Sequence, residues 1–453
     1  MQPSRFRQLD ALALARALSA GPQTPASLKA RAEQALGASP QWLAAFIAEL
    51  PRVSEATWQR QEIDDLAARI EQTYAFANAP RVPGVPFVRR WILRASRMHP
   101  APLGLDGLGL PSLPHSAAIA GWLGLTLDDL DWFTHDRRPS LPLHCQHYGF
   151  TLQPKRSGGG RLIESPRSRL KAVQGRVLHE LLDKVPVHEA CHGFVAGRSV
   201  LTHARLHTGQ PVVMHFDLKN FFGRILSSQV AAVFHTLGYP RGVARQLAAL
   251  CTVSTPEPVI ERLRDDGWVD WQDARALRRA HLPQGAPSSP MLANLCAFQL
   301  DLRLEGLAHV LGATYSRYAD DLVLSGPASL RSGFGRIADW VSCIALEEGY
   351  TLNHRKTRIA TQAAAQRVCG VVVNAHPNLP RREFDRLRAV LHQCALHGPD
   401  SQNHDGHADF RAHLWGRVQW AAQLNAAKAT RLHALWRRID WQPRIGIRAT
   451  DPP

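Results

Sequence analysis

The sequence predicts an α+β protein in which antiparallel strands carry the candidate site and helices make up both ends of the chain. Residues 315–326 are aromatic and β-branched on either side of a Tyr-Ala-Asp-Asp segment and end at Ser-Gly, which predicts a strand, a tight turn and a strand. Residues 211–217 form an apolar β run that ends in an aspartate. Apolar residues recur at helical spacing between residues 26 and 75 and again over residues 380–441.

The N-terminal helices are predicted individually from this spacing. Residues 26–36 and 42–50 each carry an apolar face of helical period. Residues 55–75 form a longer amphipathic pattern, which predicts a single helix. At the other end of the chain, four tryptophans lie among arginines, and such a spacing is more typical of a helical core than of a surface that stacks on bases.

The composition favours a polyanionic partner. The chain has 453 residues, enough for more than one domain, and 45% hydrophobic with 20% charged residues is typical of a globular protein. Its 54 Lys and Arg residues exceed the 38 Asp and Glu residues and give a net charge of +16. We therefore expect nucleic acid as the partner in preference to an anionic membrane.

Cysteine usage and hydropathy predict a cytoplasmic protein. The seven cysteines are scattered and none forms a C-x-x-C pair, which predicts reduced thiols and no zinc site built from cysteines. The first residues lack the apolar segment of a signal peptide, and no run of 18 apolar residues occurs. Secretion and membrane spanning are not expected.

Three carboxylates predict a metal site. Asp320 and Asp321 are adjacent at a predicted hairpin tip, where they repel each other and are costly to desolvate. A solvated turn would explain such a pair if it stood alone, but Asp217 ends another predicted strand about 100 residues earlier. Mg²⁺ prefers oxygen ligands of this kind, and two ions held by three carboxylates suit nucleotidyl transfer. We expect two Mg²⁺ ions, with Mn²⁺ as an alternative.

A basic glycine hairpin is a candidate triphosphate site. Lys155 and Arg161 flank Ser157-Gly158-Gly159-Gly160, which follows a predicted strand over residues 148–154. The glycines would let backbone amides approach phosphate oxygens while the two cations neutralise them. Taken alone, this stretch would be interpreted as a flexible basic hairpin.

Four further residues fit the needs of nucleotidyl transfer. Phe222 follows Asp217 by five residues, so its ring could lie under the sugar and exclude a 2′-hydroxyl. Gln284 offers amide hydrogen bonds in a Gly/Pro loop, where Gly285 would let the backbone approach a base pair. Lys356 is a candidate acid near the leaving pyrophosphate.

The ordered motifs resemble those of the reverse transcriptases. The resemblance covers residues 148–441 and implies a right-hand polymerase with fingers, a palm containing a four-stranded antiparallel sheet, and a helical thumb. It also implies that Asp217, Asp320 and Asp321 bind the metal ions, that Phe222 is the steric gate, and that Gln284 contacts the template or the incoming nucleotide. The motifs are Phe-Asp-Leu-Lys-Asn-Phe-Phe, Leu-Pro-Gln-Gly-Ala-Pro-Ser-Ser-Pro, Tyr-Ala-Asp-Asp, Leu-Asn-x-x-Lys-Thr and Val-Cys-Gly-Val-Val-Val-Asn.

Within that class, the sequence looks most like the bacterial retron reverse transcriptases. Residues 155–166 are similar to the retron fingers motif. The retron Asn-Ala-x-x-His element reads His-Ala-Arg-Leu-His over residues 203–207, and the Val-Thr-Gly element reads Val-Cys-Gly over residues 368–370, each with one departure. The resemblance implies that these elements recognise the cognate RNA, through His203, His207, Val368, Cys369 and Gly370.

The resemblance further implies a domain order and a set of partners. We expect a helical extension over residues 1–140 that binds RNA or a protein partner, fingers and palm over 141–375, and a helical thumb and tail over 376–453. A retron enzyme primes from a 2′-hydroxyl of its own structured noncoding RNA and makes a small single-stranded DNA from dNTPs. We also expect a host RNase H and a separate effector protein as partners, and a role in anti-phage defence. We expect no membrane partner.

Two alternatives remain open at this point. One is a reverse transcriptase of defence systems outside the retrons, or one related to group II intron enzymes. The other is an RNA-binding scaffold without activity, against which the intact Asp217, Asp320, Asp321, Gln284 and Lys356 argue.

Overall fold

Helices and antiparallel strands make up the structure, a computed structural model that describes residues 3–82, 85–92, 97–100, 104–134, 142–154 and 159–441. This mixture confirms the predicted α+β class. The chain divides into two compact units. Unit 1 consists of Met1–Val185 and Leu226–Pro287, and unit 2 of Pro186–Ile225 and Ser288–Pro453. The predicted boundaries at residues 140 and 375 stay a prediction.

Six helices open unit 1 and enclose a core of their own. Leu14, Phe46, Trp58 and Phe76 are among the side chains buried in it. The hydroxyls of Thr24 and Ser54 cap two of these helices. The helices are α1 (Pro3–Ser19), α2 (Pro25–Leu36), α3 (Leu43–Glu49), α4 (Glu55–Arg60), α5 (Ile63–Gln72) and α6 (Tyr74–Ala77).

The single helix predicted over residues 55–75 is wrong. The chain leaves helical geometry at Gln61 and Glu62, whose ψ angles are 125° and 144°, and a new helix begins at Ile63. The interruption lets Trp58 of α4 and Ile70 of α5 reach the same core, although they do not lie on one face of a continuous helix.

The rest of unit 1 is a β hairpin surrounded by helices. Strands β1 (Tyr148–Pro154) and β2 (Gly160–Pro166) pair antiparallel in the register Tyr148↔Pro166 to Pro154↔Gly160, as the sequence predicts. The helices are α7 (Ser116–Leu123), α8 (Leu127–Thr134), α9 (Ser168–Glu180), α12 (Ser227–Thr236), α13 (Arg241–Cys251), α14 (Glu257–Asp265) and α15 (Trp271–Arg278).

Unit 2 is built on a four-stranded antiparallel sheet of order β4-β5-β3-β6. Every residue of β3 is buried, which explains its continuous apolar run. The strands are β3 (Val212–Asp217), β4 (Thr314–Tyr318), β5 (Asp321–Gly326) and β6 (Arg358–Thr361). Five helices accompany the sheet, namely α10 (Val200–Leu206), α11 (Phe221–Arg224), α16 (Ser289–Cys296), α17 (Phe298–Val310) and α18 (Phe334–Glu347).

The end of unit 2 is helical, as predicted. A short hairpin of β7 (Arg367–Val368) and β8 (Val371–Val372) precedes α19 (Arg381–His397), α20 (Phe410–Leu424) and α21 (Ala426–Trp436). Val213 and Val323 of the sheet share one core with Val368, Leu391 and Leu414. This shared core fixes β3 and β5, whose ends carry the candidate site, against the helical tail.

All seven cysteines are free thiols. Across the described ranges, no helix combines the length and the apolar character needed to cross a membrane.

Candidate polymerase active site

The three predicted carboxylates lie together at one end of the sheet. Asp217 is the last residue of β3 and Asp321 the first of β5, and the two are directly opposite each other in the antiparallel register. Asp320 belongs to the two-residue loop between the paired Tyr318 and Asp321. The backbone N–H of Leu218 donates to the carbonyl of Asp320 at 2.9 Å, which ties the end of β3 to this loop.

The loop is held in a demanding conformation. Ala319 has a φ of 56°. The tight turn of a two-residue hairpin requires such a positive value, which residues other than glycine disfavour. Its backbone also lies against Gly193, where an added Cβ would stand 2.6 Å from the nitrogen of Ala319. The close approach of these two backbones therefore requires glycine at position 193.

The charged residues around Asp321 shift its pKa in opposite directions. Burial, followed by the charges of Asp320 and Asp217, raises the pKa of Asp321 to about 6. Lys356 and Arg358 act in the opposite direction without reversing the shift. Three neighbouring carboxylates form the oxygen-rich set that divalent cations prefer. The residues therefore fit the metal site that the sequence predicts.

Lys356 contacts the first of these carboxylates. Its Nζ donates to Oδ2 of Asp217 at 2.7 Å. Burial acts to lower the pKa of Lys356, but the hydrogen bond to Asp217 and the three carboxylate charges outweigh it, so that the pKa is raised. The loop before Lys356 is anchored on the same residue, because the N–H of Asn353 donates to the carbonyl of Asp217 at 2.7 Å.

A buried ion pair supports the loop formed by Ala319 and Asp320. Arg317 and Asp301 both have 0% of their side chains exposed, and Nε and Nη2 of the guanidinium donate to the two carboxylate oxygens at 2.7 Å each. Nη1 donates to the carbonyl of Ala319 and to Oδ1 of Asn294, both at 3.1 Å. The amide of Asn294 in turn donates to the carbonyl of Gly193 at 2.8 Å.

This network was not foreseen from the sequence. An arginine within a predicted strand next to the Tyr-Ala-Asp-Asp segment was a usable signal, since a buried arginine requires a carboxylate. Nothing local identifies that carboxylate as Asp301 of α17. The network joins β4, α16 and α17 to the backbone of Ala319, and thereby fixes the loop that presents Asp320.

Two histidines predicted to bind RNA are buried behind the sheet. His203 and His207 each have 0% of the side chain exposed. His207 contacts the hydroxyl of Ser325 at 2.7 Å through Nδ1 and that of Ser316 at 2.6 Å through Nε2, so it connects β5 to β4. Burial lowers the pKa of His207 well below its ordinary value, and the imidazole is neutral.

The other retron-like element contacts a predicted metal ligand. Sγ of Cys369 lies 3.4 Å from Nδ1 of His203 and 3.8 Å from Oδ2 of Asp321. Val368 is fully buried, and the turn at Cys369 and Gly370 takes φ values of 46° and 85°. Cys369 therefore contacts Asp321 directly, and the recognition of RNA through these elements stays a prediction.

Phe222 belongs to a row of aromatic rings. Its half-buried ring lies 5.6 Å from that of Phe221 and 6.3 Å from that of Phe194. Phe194 is 48% exposed, and its ring lies 6.3 Å from that of Tyr318, which immediately precedes the loop of Ala319 and Asp320. The sequence analysis assigned no role to Phe194.

The remaining predicted residues belong to unit 1. Lys155 lies outside the described residues, and Arg161 is exposed on β2. The carbonyl of Gln284 accepts from the N–H of Glu164 at 3.0 Å. Gly285 has a φ of 143°, and an added Cβ would stand 3.0 Å from the carbonyl oxygen of Glu164. The Gln-Gly loop thus packs directly on β2, whereas its relation to the carboxylates of unit 2 stays a prediction.

Glu164 is a further residue that the sequence did not reveal. It is buried, and its carboxylate accepts from Thr255 at 2.7 Å and contacts Nε2 of His281 at 3.1 Å. Burial disfavours the charged imidazole of His281, but the charge and hydrogen bond of Glu164 outweigh it and raise the pKa. This pair holds the base of the glycine hairpin against the loop that carries Gln284.

Comparison with known proteins assigns the family. Residues 153–381 match the family described as "Reverse transcriptase (RNA-dependent DNA polymerase)". The retron Mx65 reverse transcriptase of Myxococcus xanthus is 39% identical over 332 residues, which are 72% of this chain and 71% of that protein. The retron Mx162 reverse transcriptase of the same organism is 38% identical over 63% of this chain and 59% of its own length. The retron Ec86 reverse transcriptase of Escherichia coli is 34% identical over 51% of this chain and 64% of its own length.

Solved structures give a weaker match. A telomerase structure from Candida albicans covers 54% of this chain and 50% of its own at 12% identity, with a TM-score of 0.32, which supports no argument by itself. The family match and the four-stranded antiparallel sheet together confirm the predicted right-hand polymerase fold class. The family depends on divalent metal, and RNA template with its DNA copy are its partners. On the sequence matches and the carboxylate site, the chain belongs to the retron-type reverse transcriptases, which are RNA-directed DNA polymerases.

Proposed function

We propose that this protein copies its own structured noncoding RNA into a small single-stranded DNA that remains joined to RNA, and that it primes this synthesis from a 2′-hydroxyl of the RNA. The observation that carries the proposal is the convergence of Asp217, Asp320 and Asp321 at the end of the sheet, in a chain similar to retron enzymes. The net charge of +16 suits a protein that binds RNA through phosphates.

We assign Asp217, Asp320 and Asp321 as the ligands of two Mg²⁺ ions. When bound, such ions activate the attacking hydroxyl and stabilise the leaving pyrophosphate. The raised pKa of Asp321, about 6, supports this assignment because burial and then the charges of Asp320 and Asp217 disfavour its ionised form, which a bound cation would favour. Arg317 keeps the loop in place while the occupancy of the site changes, since its own bonds run to Asp301 and to the backbone of Ala319.

Lys356 has two roles in this proposal. Through Nζ it holds Asp217 in the orientation seen in the structure. The raised pKa keeps the proton on Nζ at neutral pH, and we assign that proton to the leaving pyrophosphate. Lys155 and Arg161 neutralise the triphosphate, and Gln284 and Gly285 contact the template or the incoming nucleotide.

Phe222 selects deoxynucleotides by occupying the space of a 2′-hydroxyl. Its ring packs against those of Phe221 and Phe194, which limits how far it can move aside. Because the gate works by exclusion, the size of the side chain matters more than its polarity.

We further propose an order of domains and a setting. Residues 141–375 act as fingers and palm and residues 376–453 as thumb and tail, while residues 1–140 bind RNA or a protein partner. A host RNase H removes copied RNA, and a separate effector protein completes an anti-phage system in the cytoplasm. The free thiols and the retron relatives support this setting.

The experiment is an analysis of the nucleic acid that copurifies with the protein expressed from its native locus. The extract is treated with RNase, with or without a debranching enzyme, and run on a denaturing gel. We expect a discrete DNA whose mobility shifts after debranching and which is missing when Asp320→Asn and Asp321→Asn are introduced together. Unbranched DNA, or no DNA from an enzyme that extends an added primer, would contradict retron-type priming.

A further inference from the structure

The side chains of Glu62, His99 and His235, all in unit 1, lie close together. Nε2 of His99 and Nδ1 of His235 each lie 3.8 Å from Oε1 of Glu62. The three donor atoms all lie within 4.8 Å of one another. Ligand atoms around a tetrahedral Zn²⁺ stand about 3.3 Å apart, so only a small closure would bring these three into a coordination sphere. We propose that Glu62, His99 and His235 bind a Zn²⁺ ion.

The oxygen at the centre of the cluster needs a partner. Oε1 of Glu62 is buried and accepts no hydrogen bond from the described residues. Leaving a carboxylate oxygen in this state is costly, whereas a cation between it and the imidazoles would satisfy it. Arg241 does not fill this role, because its Nε stays 4.0 Å away and its Nη2 contacts Asp65 at 3.4 Å.

The three ligands come from segments that are already fixed. Glu62 immediately precedes α5, and its side chain makes no capping hydrogen bond there. His235 lies in the last turn of α12, and the N–H of His99 donates to the carbonyl of Gly238 just beyond that helix at 2.7 Å. The carbonyl of Tyr239 lies 3.1 Å from Nδ1 of His235, and an ion bound to Nδ1 would replace this contact.

The donor set selects the class of metal. Two imidazoles and one carboxylate suit zinc, whereas Mg²⁺ prefers oxygen ligands alone. Three protein ligands leave the fourth position to water. Such an ion would join residues 62 and 99 of the N-terminal region to α12, so its effect is on the stability of unit 1 and is independent of the polymerase chemistry.

The test is a Co²⁺ titration of the full-length protein followed by competition with Zn²⁺. Asp320→Asn with Asp321→Asn is used as the background, because it removes the carboxylates that would otherwise take up the same ions. We expect a single equivalent of Co²⁺ with the visible absorption of tetrahedral coordination, displaced by Zn²⁺. In this background, His99→Asn, His235→Asn and Glu62→Gln should each weaken binding at least about tenfold.

His179→Asn is the matched control. His179 lies on α9 of the same unit and pairs with Asp183 at an exposed site, so its loss should leave Co²⁺ binding unchanged. Thermal unfolding gives a second readout, in which Zn²⁺ should raise the melting temperature of the background protein but not that of the His235→Asn variant. A protein that binds no Co²⁺, or whose binding is the same in all three ligand variants, would overturn the proposal.

Discussion

Nζ of Lys356 lies 2.7 Å from Oδ2 of Asp217, and the loop that carries the lysine is hydrogen bonded to the backbone of the same aspartate. Asp217 therefore ends a strand, is a predicted metal ligand and also holds the ammonium group of Lys356. The cation is not locked in place, since the Lys356 side chain is 58% exposed. This arrangement leads to the first prediction.

Replacing Lys356 with methionine should slow catalysis more than it weakens nucleotide binding. Methionine keeps much of the stem but removes both the proton donor and the partner of Asp217. We expect kcat to fall by about 100-fold, within the range of general acid catalysis, while KM for the dNTP changes little. Steady-state primer extension at varied dNTP concentration measures kcat and KM. Lys356→Arg, which retains the charge but donates a proton poorly, should remain slow, and full activity in either variant would contradict the role of Lys356.

Arg317 and Asp301 should affect activity and stability separately. Arg317→Leu leaves Asp301 charged and buried without its partner, which should cost about 3–5 kcal/mol of unfolding free energy. Arg317→Leu with Asp301→Leu removes both charges and should recover most of that loss. Because the carbonyl of Ala319 still lacks its donor, primer extension should remain impaired in the double variant. The test is to measure urea unfolding and kcat on the same samples. If the double variant recovered both its stability and its kcat, the role of Arg317 would be purely structural.

The raised pKa of Asp321 sets a pH dependence of stability. Its pKa of about 6 in the folded protein exceeds the ordinary value of 3.8, so the folded state binds the proton more tightly than the unfolded state. Tighter proton binding by the folded state stabilises the fold at low pH. Without metal, the contribution of Asp321 to stability is therefore greatest below pH 3.8 and is lost as the pH rises through about 6. The loss above pH 6 should be about 2–3 kcal/mol.

Chemical unfolding in EDTA at pH 5 and pH 7.5 measures this effect. Asp321→Asn should be more stable than the natural protein at pH 7.5, with a smaller advantage at pH 5. Asp339→Asn, at an exposed position of α18, should show no such pattern. Mg²⁺ should restore stability to the natural protein and not to the Asp321→Asn variant. An equal response of both proteins to pH would contradict the electrostatic description of the site.

Phe222 should control the choice of sugar. Phe222→Ala should lower the discrimination against ribonucleotides at least about tenfold, because the excluded volume is lost. Phe222→Tyr keeps the ring and should retain discrimination. Competition between a dNTP and the matching ribonucleotide on one primed template measures the ratio. An alanine variant that still rejects ribonucleotides would assign the gate to another residue.

Much of the fold and the centre of the site were predictable because the signals are local. The apolar run of residues 211–217 and the aromatic and β-branched flanks of the Tyr-Ala-Asp-Asp segment give strands β3, β4 and β5, with Asp217 ending β3 and Asp321 beginning β5. Antiparallel pairing then places Asp217 opposite Asp321. The hairpin of β1 and β2 was equally predictable from the sequence, since glycines mark its turn.

The parts that were missed depend on tertiary partners. Arg317 pairs with Asp301 of a helix, and Glu164 pairs with His281, which is 117 residues away. Burial of a charged residue can be suspected from an apolar neighbourhood, but the identity of its partner is decided by packing. The break between α4 and α5 has the same origin, because a shared core and not local propensity ends the first helix.

The central claim is that the three carboxylates perform the chemistry of an RNA-directed DNA polymerase. The most direct measurement compares the natural protein with the variant carrying Asp320→Asn and Asp321→Asn, in primer extension on an RNA template and in RNA binding. We predict that the variant makes no DNA and binds RNA within about threefold of the natural protein, because the 54 Lys and Arg residues that favour RNA binding are unchanged. DNA synthesis by the variant would contradict the assignment of the site.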